Sequence, residues 1–120
     1  HMDIEPRLTI RTLEELLADS YIGCRYETTY DSIEVLGDVE KPSLEVFKTK
    51  YDDLKNRVIP FEELRLERSY KLTNSDWTVS NDSPLSPEKV QEWRTYRQAL
   101  RDLPANTEDP VNPVWPVPPE

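Results

Sequence analysis

Residues 86–104 read SPEKVQEWRTYRQALRDLP, which is the clearest helix pattern in the chain. Ser86 is suited to cap a helix, and Pro87 fits the first helical turn, where its missing amide hydrogen costs nothing. Apolar side chains then recur every three or four residues on one face: Val90, Trp93, Tyr96 or Arg97, Leu100 and Leu103. The pattern predicts an amphipathic helix over about 87–102, which Pro104 ends.

A longer apolar seam precedes this helix. Its members alternate at spacings of three and four, as in a coiled-coil heptad: Leu44, Phe47, Tyr51, Leu54, Val58 and Phe61. Pro60 interrupts the seam, so either one helix kinks there or a second helix begins with Pro60 in its first turn. We expect helices over about 43–57 and 61–73. Because the seam is long for one small domain, it also predicts a dimer or trimer.

The N-terminal part of the chain has a different character. Thr12 and Glu15 have the spacing of a capping box, which predicts a short helix over about 12–20. Side chains in 24–36 alternate between two faces, and the alternation changes phase at Asp31-Ser32. This stretch therefore predicts two short strands separated by a loose turn, or one strand with a bulge.

The C-terminal end is rich in proline. Six of the 11 prolines lie between Pro104 and Pro119, so residues 105–120 are expected to be extended or polyproline II. Composition thus divides the chain into an N-terminal helix and β element (1–40), a helical region (41–104) and an extended tail (105–120). The predicted fold class is mainly α with a small β element, in which a helical hairpin precedes the proline-rich tail.

Composition narrows the classes of partner. The formal net charge is −9, which disfavours nucleic acid and anionic membranes as partners. Cys24 is the only cysteine, so no disulfide forms within the chain. No apolar run or leader-like segment predicts membrane insertion or secretion. His1-Met2 has the look of residues left by an expression vector.

The sequence offers little for catalysis. Beyond His1 there is no histidine, so neither a Ser-His nor a Cys-His arrangement can be built. The clustered His and Cys that bind zinc are missing too. Gly23 and Gly37 are too few for a glycine-rich phosphate loop. We therefore expect a protein that is not an enzyme and needs no cofactor or metal.

Several stretches of the C-terminal half resemble one family. They are SDWT at 75–78, DSPLS at 82–86, WRTYRQALRDLP at 93–104 and PVWPVPP at 113–119. Together they are similar to the C-terminal region of phage tail assembly chaperone proteins. The resemblance covers about residues 62–119, and a weaker likeness covers 30–42. Arg65 and Arg68 stand where the family's helix carries arginines, whereas Pro60 departs from the family's long helix.

The resemblance implies a role in tail or tail-fibre assembly by protein–protein binding, in the host cytoplasm during infection. The implied partner is a phage tail or tail-fibre protein. Two alternatives are a structural tail, neck or fibre component of the virion, and an acidic inhibitor of a host protein. Lysines and arginines interspersed among the acids of 45–72 argue against an inhibitor.

The resemblance and the aromatic placement single out candidate motif or partner-binding residues. They are Arg65, Arg68, Asp76, Trp77, Trp93, Tyr96, Arg97, Arg101 and Trp115. An ion pair is expected between Asp76 and Arg97 or Arg101 across the corner of the hairpin. Trp77 is expected to pack on the 86–103 helix. The apolar tail is expected to dock on the hairpin near Trp77 and Trp93, or on a partner.

Overall fold

Helices account for 62% of the chain in the computed structural model, which describes residues 1–120. The remaining regular structure is one antiparallel sheet of two strands. This confirms the predicted fold class, mainly α with a small β element. The chain forms two compact units, His1–Val58 and Ile59–Glu120. The division by composition into 1–40, 41–104 and 105–120 stays a prediction, because it concerns local character rather than packing.

The first helix, α1, spans Pro6–Leu17, so the predicted start at Thr12 was wrong. Pro6 at the first helical position sets φ for the helix and takes the place of a side-chain cap. Thr12 lies inside α1, where its buried hydroxyl donates to the Leu8 carbonyl at 2.6 Å instead of capping. The helix ends at Leu17, and a 3₁₀ turn follows over Ala18–Ser20.

The β element consists of β1, Cys24–Arg25, and β2, Glu34–Val35. The two strands are antiparallel and pair Cys24 with Val35. A 3₁₀ turn over Tyr30–Ser32 separates them at the place where the sequence pattern changes phase. Of the two predicted alternatives, two short strands with a loose turn is therefore correct.

Helix α2 spans Leu44–Asp53 and continues as a π-helical turn over Leu54–Val58. Ser43 caps it, because its hydroxyl accepts from the Val46 amide at 3.2 Å. The apolar face of α2 packs on α1 and closes the core of the N-terminal unit. The buried members of this core are Ile4, Leu8, Leu13, Ile33, Phe47, Tyr51 and Leu54.

The C-terminal unit is a hairpin of α3, Ile59–Ser75, and α4, Pro87–Asn106. Pro60 is the second residue of α3, and the π turn directly precedes this helix without a break in helical structure. A fresh helix start at Pro60, the second of the two predicted alternatives, is therefore not seen. Ser86 caps α4, since its hydroxyl accepts from the Lys89 amide at 3.2 Å. The apolar core of this unit consists of Leu64, Tyr96, Leu100 and Leu103.

Helix α4 extends past its predicted end. It continues through Pro104 to Asn106, so the prediction that Pro104 ends the helix was wrong, and so was an extended backbone at Ala105 and Asn106. A proline near the last turn leaves only one carbonyl without its usual donor. The Thr107 hydroxyl also donates to the Leu103 carbonyl at 2.6 Å. Neither α4 nor any other helix is long and apolar enough to cross a membrane.

Candidate functional site

The corner between α3 and α4 is built around the Arg97 guanidinium. Its Nη1 donates to the Leu72 carbonyl at 2.6 Å and to the Ser75 hydroxyl at 2.7 Å. Its Nη2 donates to Asp76 Oδ1 at 2.7 Å. Leu72 and Ser75 belong to the last turn of α3, where the helix dipole gives the carbonyl end partial negative charge. The cation therefore caps the negative end of α3.

Neighbouring hydroxyls complete this cap. The Ser75 hydroxyl donates to the Lys71 carbonyl at 2.8 Å, and the Thr78 hydroxyl donates to the Ser75 carbonyl at 2.6 Å. Ser75 and Thr78 are both buried. The serine and threonine of the SDWT motif thus donate hydrogen bonds to carbonyls at the end of α3. This local structural role explains why these two residue types stand there.

The ion pair in this cap is uneven. The Arg97 side chain is 8% exposed, whereas the Asp76 side chain is 62% exposed. The predicted pair of Asp76 with Arg97 or Arg101 therefore forms with Arg97. Solvent screens an exposed carboxylate, so the pair itself adds at most about 1 kcal/mol. The hydrogen bonds from the buried guanidinium to the carbonyl and the hydroxyl matter more, because a charged donor strengthens them.

The other candidate arginines are distributed along both helices. Arg68 on α3 donates from Nη1 to the Arg101 carbonyl on α4 at 3.2 Å, while its buried Nε has no partner. Arg101 contributes this backbone carbonyl, and its side chain is exposed. Arg65 is also exposed and lies over the Phe61 ring, 5.3 Å from its centroid. Arg68 thus cross-links the hairpin, whereas Arg65 and Arg101 present charge to solvent.

The candidate aromatic residues occupy different environments. Trp93 and Tyr96 on α4 form an edge-to-face pair with ring centroids 5.5 Å apart. Tyr96 is buried, and burial raises the pKa of its hydroxyl. Trp77 follows the end of α3 and is about half exposed. Its packing on the 86–103 helix stays a prediction.

The proline-rich tail returns along the hairpin. Pro110 is buried, and Trp115 is half-buried with the Lys71 ammonium 5.1 Å from its ring centroid. Farther along, Pro116 and Pro119 line a groove with Tyr96. The tail thus lies against α3 first and then against α4. Lys71 and Tyr96 are among the neighbours of the tail, and Tyr96 packs on the Trp93 ring, so the predicted place of the tail near Trp77 and Trp93 stays a prediction.

Between α3 and the tail lies an open groove of about 470 Å³, which we call the α3 groove. Its apolar lining includes Leu66 and Tyr70, which are 61% and 62% exposed. Glu63 and Glu67 contribute carboxylates to the same groove. The remaining lining residues are Leu64, Pro110, Val111, Pro113 and Trp115.

The sequence did not single out Leu66 and Tyr70 as binding residues. They are four residues apart on α3, and such a pair lies on one helix face. Leu64, two residues before Leu66, turns into the core instead. The spacing of Leu66 and Tyr70, together with Leu64 on a different face, is the sequence signal that could have indicated an exposed apolar face on α3 in addition to its buried one.

The predicted oligomer seam is largely enclosed by its own unit. Phe47, Tyr51 and Leu54 are buried, and Phe47 lies against the Tyr30 and Tyr51 rings with centroids 5.3 and 5.6 Å away. The Tyr51 hydroxyl accepts from the Glu5 amide at 2.9 Å. Leu44 is exposed and Val58 is half-buried. Self-association stays a prediction, and these three buried residues are not available to support it.

The structure brings few reactive groups together. It contains no group of three or more His, Cys, Asp or Glu side chains placed to hold a metal ion. Cys24 is half-buried in β1, and the Tyr21 hydroxyl donates to its Sγ at 3.5 Å. Burial and this contact raise the pKa of Tyr21 to about 12, so its hydroxyl stays protonated at neutral pH.

Comparison with known proteins identifies a family for the C-terminal half of the chain. The profile of the family described as "Phage tail assembly chaperone protein" matches residues 61–120, which is half of the chain. No curated protein and no solved structure shows a significant match. The matched half contains the capped hairpin, the docked tail and the α3 groove. The chain therefore belongs to the phage tail assembly chaperone family.

Proposed function

We propose that this chain is a tail or tail-fibre assembly chaperone that binds a phage tail protein through the α3 groove. Family membership supports a role in phage tail assembly, and the family match covers the unit that carries the groove. The observation that carries the proposal is the exposure of Leu66 and Tyr70 on α3. Two large apolar side chains beside an open groove are typical of a protein-binding surface.

The groove also indicates the chemistry of its partner. Leu66 and Tyr70 form an apolar centre, and Glu63 and Glu67 add negative charge on the same helix. A complementary segment presents apolar side chains together with lysine or arginine. Because an exposed carboxylate steers encounter more than it strengthens binding, the apolar contacts supply most of the affinity.

Binding is tested by co-expressing the chain with each tail and tail-fibre protein of the same phage and measuring affinity for those that co-purify. The double variant Leu66→Gln and Tyr70→Gln is expected to bind at least about tenfold more weakly, because it removes two apolar side chains that the partner would bury in the complex. Glutamine preserves helix propensity, so α3 should stay folded. Ile22→Gln is the matched control, since Ile22 is 70% exposed in the N-terminal unit.

The outcomes separate this proposal from its alternatives. Equal affinity of the double variant and the control would remove the α3 groove from the mechanism. Finding the chain at stoichiometric amounts in purified virions would favour a structural virion component over a transient chaperone. An acidic inhibitor is less well supported, because acids of the N-terminal unit are paired locally, as in Lys48–Asp52 and Arg57–Asp53.

A further inference from the structure

The end of the tail separates its side chains into two faces. Pro113, Pro116 and Pro119 are half-buried, whereas Val114 and Val117 are 85% and 87% exposed. The prolines recur every third residue, and each valine follows a proline directly. This spacing matches polyproline II, which has three residues per turn and which the prolines favour by fixing φ.

The structure keeps the proline face toward the hairpin. Pro116 and Pro119 line one groove with Tyr96 and Ala99 of α4. Val117 lies at the rim of the same groove with its side chain turned to solvent. In polyproline II, Val114 and Val117 are one turn apart, at about 9 Å along the segment. They form an exposed apolar strip, which we call the valine ridge.

The charge pattern restricts what the valine ridge can bind. Residues 110–119 contain no charged side chain, although charged residues make up 32% of the chain. The exposed face of the tail is therefore neutral and apolar in a protein whose surface is otherwise strongly acidic. A partner surface that fits it is uncharged and apolar at its centre.

We propose that the valine ridge is a second contact with the tail protein, and that it docks into an uncharged groove lined by aromatic side chains on that protein. This inference rests on the proposed function, because it specifies the partner of the same unit. Grooves lined by aromatic rings recognise polyproline II segments, which lose little conformational entropy on binding. The tail stays on α4 during binding, so the hairpin holds the ridge in its bound conformation.

The first test replaces both ridge valines by threonine, which keeps their shape and β-branching but places a hydroxyl in the contact. The chain with Val114→Thr and Val117→Thr is expected to bind the co-purifying tail protein at least about tenfold more weakly. Its melting temperature should not change, because both side chains are exposed. Ile22→Thr makes the same kind of change at an exposed site of the N-terminal unit and should bind normally.

The second test asks whether the tail must stay on α4. Ala99→Glu places a charge beneath the tail without altering the ridge itself. If the ridge binds as held by the hairpin, affinity falls, because the partner must then order the segment. Stronger binding by this variant would show that the partner takes the proline face after the tail detaches, and would overturn the proposal.

The two proposals fail in different ways. Affinity within twofold of the natural sequence for the double threonine variant, with loss of binding for Leu66→Gln and Tyr70→Gln, overturns the valine ridge alone. Normal affinity for both double variants overturns both surfaces. Absence of any co-purifying tail or tail-fibre protein overturns the proposed function and, with it, the inference that depends on it.

Discussion

The two units of the chain differ in which side chains they bury and which they leave exposed. The N-terminal unit encloses large apolar side chains, with Phe47, Leu13 and Leu54 completely buried. The C-terminal unit buries fewer large apolar side chains and adds the charged Arg97 to its interior. It also leaves several large apolar residues in solvent: Leu66, Tyr70, Trp77, Val111, Val114 and Val117.

The two units therefore differ in how many apolar side chains stabilise the fold and how many stay exposed for a partner. Apolar burial holds the first unit, so little of its α2 seam remains for a partner. In the second unit, hydrogen bonds from Arg97 at the end of α3 add to a smaller apolar core, and several large apolar side chains lie at the surface. The family match covers that second unit.

The largest effect is expected in the N-terminal core. Phe47→Ala leaves a cavity between the Tyr30 and Tyr51 rings and should lower the free energy of unfolding by about 3–5 kcal/mol. Urea denaturation followed by circular dichroism measures it. Leu44→Ala, at an exposed position of the same helix, is the control and should change stability by under about 0.5 kcal/mol. A small loss for Phe47→Ala would mean that apolar burial does not hold this unit.

The next effect concerns the cap at the end of α3. Arg97→Met keeps the length of the side chain but removes its bonds to the Leu72 carbonyl and the Ser75 hydroxyl. We expect a loss of about 2–3 kcal/mol in the C-terminal unit, measured by hydrogen exchange of amides in α3 and α4. Arg94→Met, exposed on the same helix, should have little effect. If amides of α3 and α4 were equally protected from hydrogen exchange in Arg97→Met and Arg94→Met, Arg97 would not stabilise the end of α3.

A smaller effect is expected for the tail. Deleting residues 109–120 removes Pro110 and Trp115 from the surface of the hairpin and should lower stability by about 1 kcal/mol or more. Val114→Ala is the matched control for Trp115→Ala, because Val114 makes no comparable burial. Unchanged melting of both the deletion and Trp115→Ala would show that docking on this chain contributes nothing.

The smallest effects come from two similar caps. Ser43 and Ser86 each accept from the amide three residues later at 3.2 Å, one in each unit. Ser43→Ala and Ser86→Ala are each expected to cost about 1 kcal/mol. Chemical denaturation measures the free energy of unfolding that each variant loses. Because the two hydrogen bonds are alike, a clear difference between these losses would reflect the surrounding units rather than the caps.

Much of this architecture could be predicted from local patterns. Apolar periodicity located α2, α3 and α4, and the phase change at Asp31-Ser32 located the turn between the strands. The pairing of Asp76 followed from its position at the hairpin corner, although the sequence left two arginines open. Local signals of this kind succeed because neighbouring residues determine them.

The remaining features depend on contacts that local patterns do not contain. Thr12 matches a capping box, yet Pro6 starts the helix earlier and burial turns the Thr12 hydroxyl toward Leu8. The seam around Phe47 has coiled-coil spacing whether a second copy or α1 covers it. The α3 groove is formed by residues about 45 positions apart, such as Leu66 and Val111, so tertiary packing alone reveals it.

The period of three in the tail has a consequence for its evolution. Deleting one residue between Pro113 and Pro116 would rotate all later side chains by about a third of a turn and place Val117 where Pro116 now meets the hairpin, whereas inserting one residue there before Trp115 would place Trp115 at that position. A change of three residues would lengthen or shorten the segment by one turn, about 9 Å, and leave both faces intact. Length variation among related tails is therefore expected in steps of three.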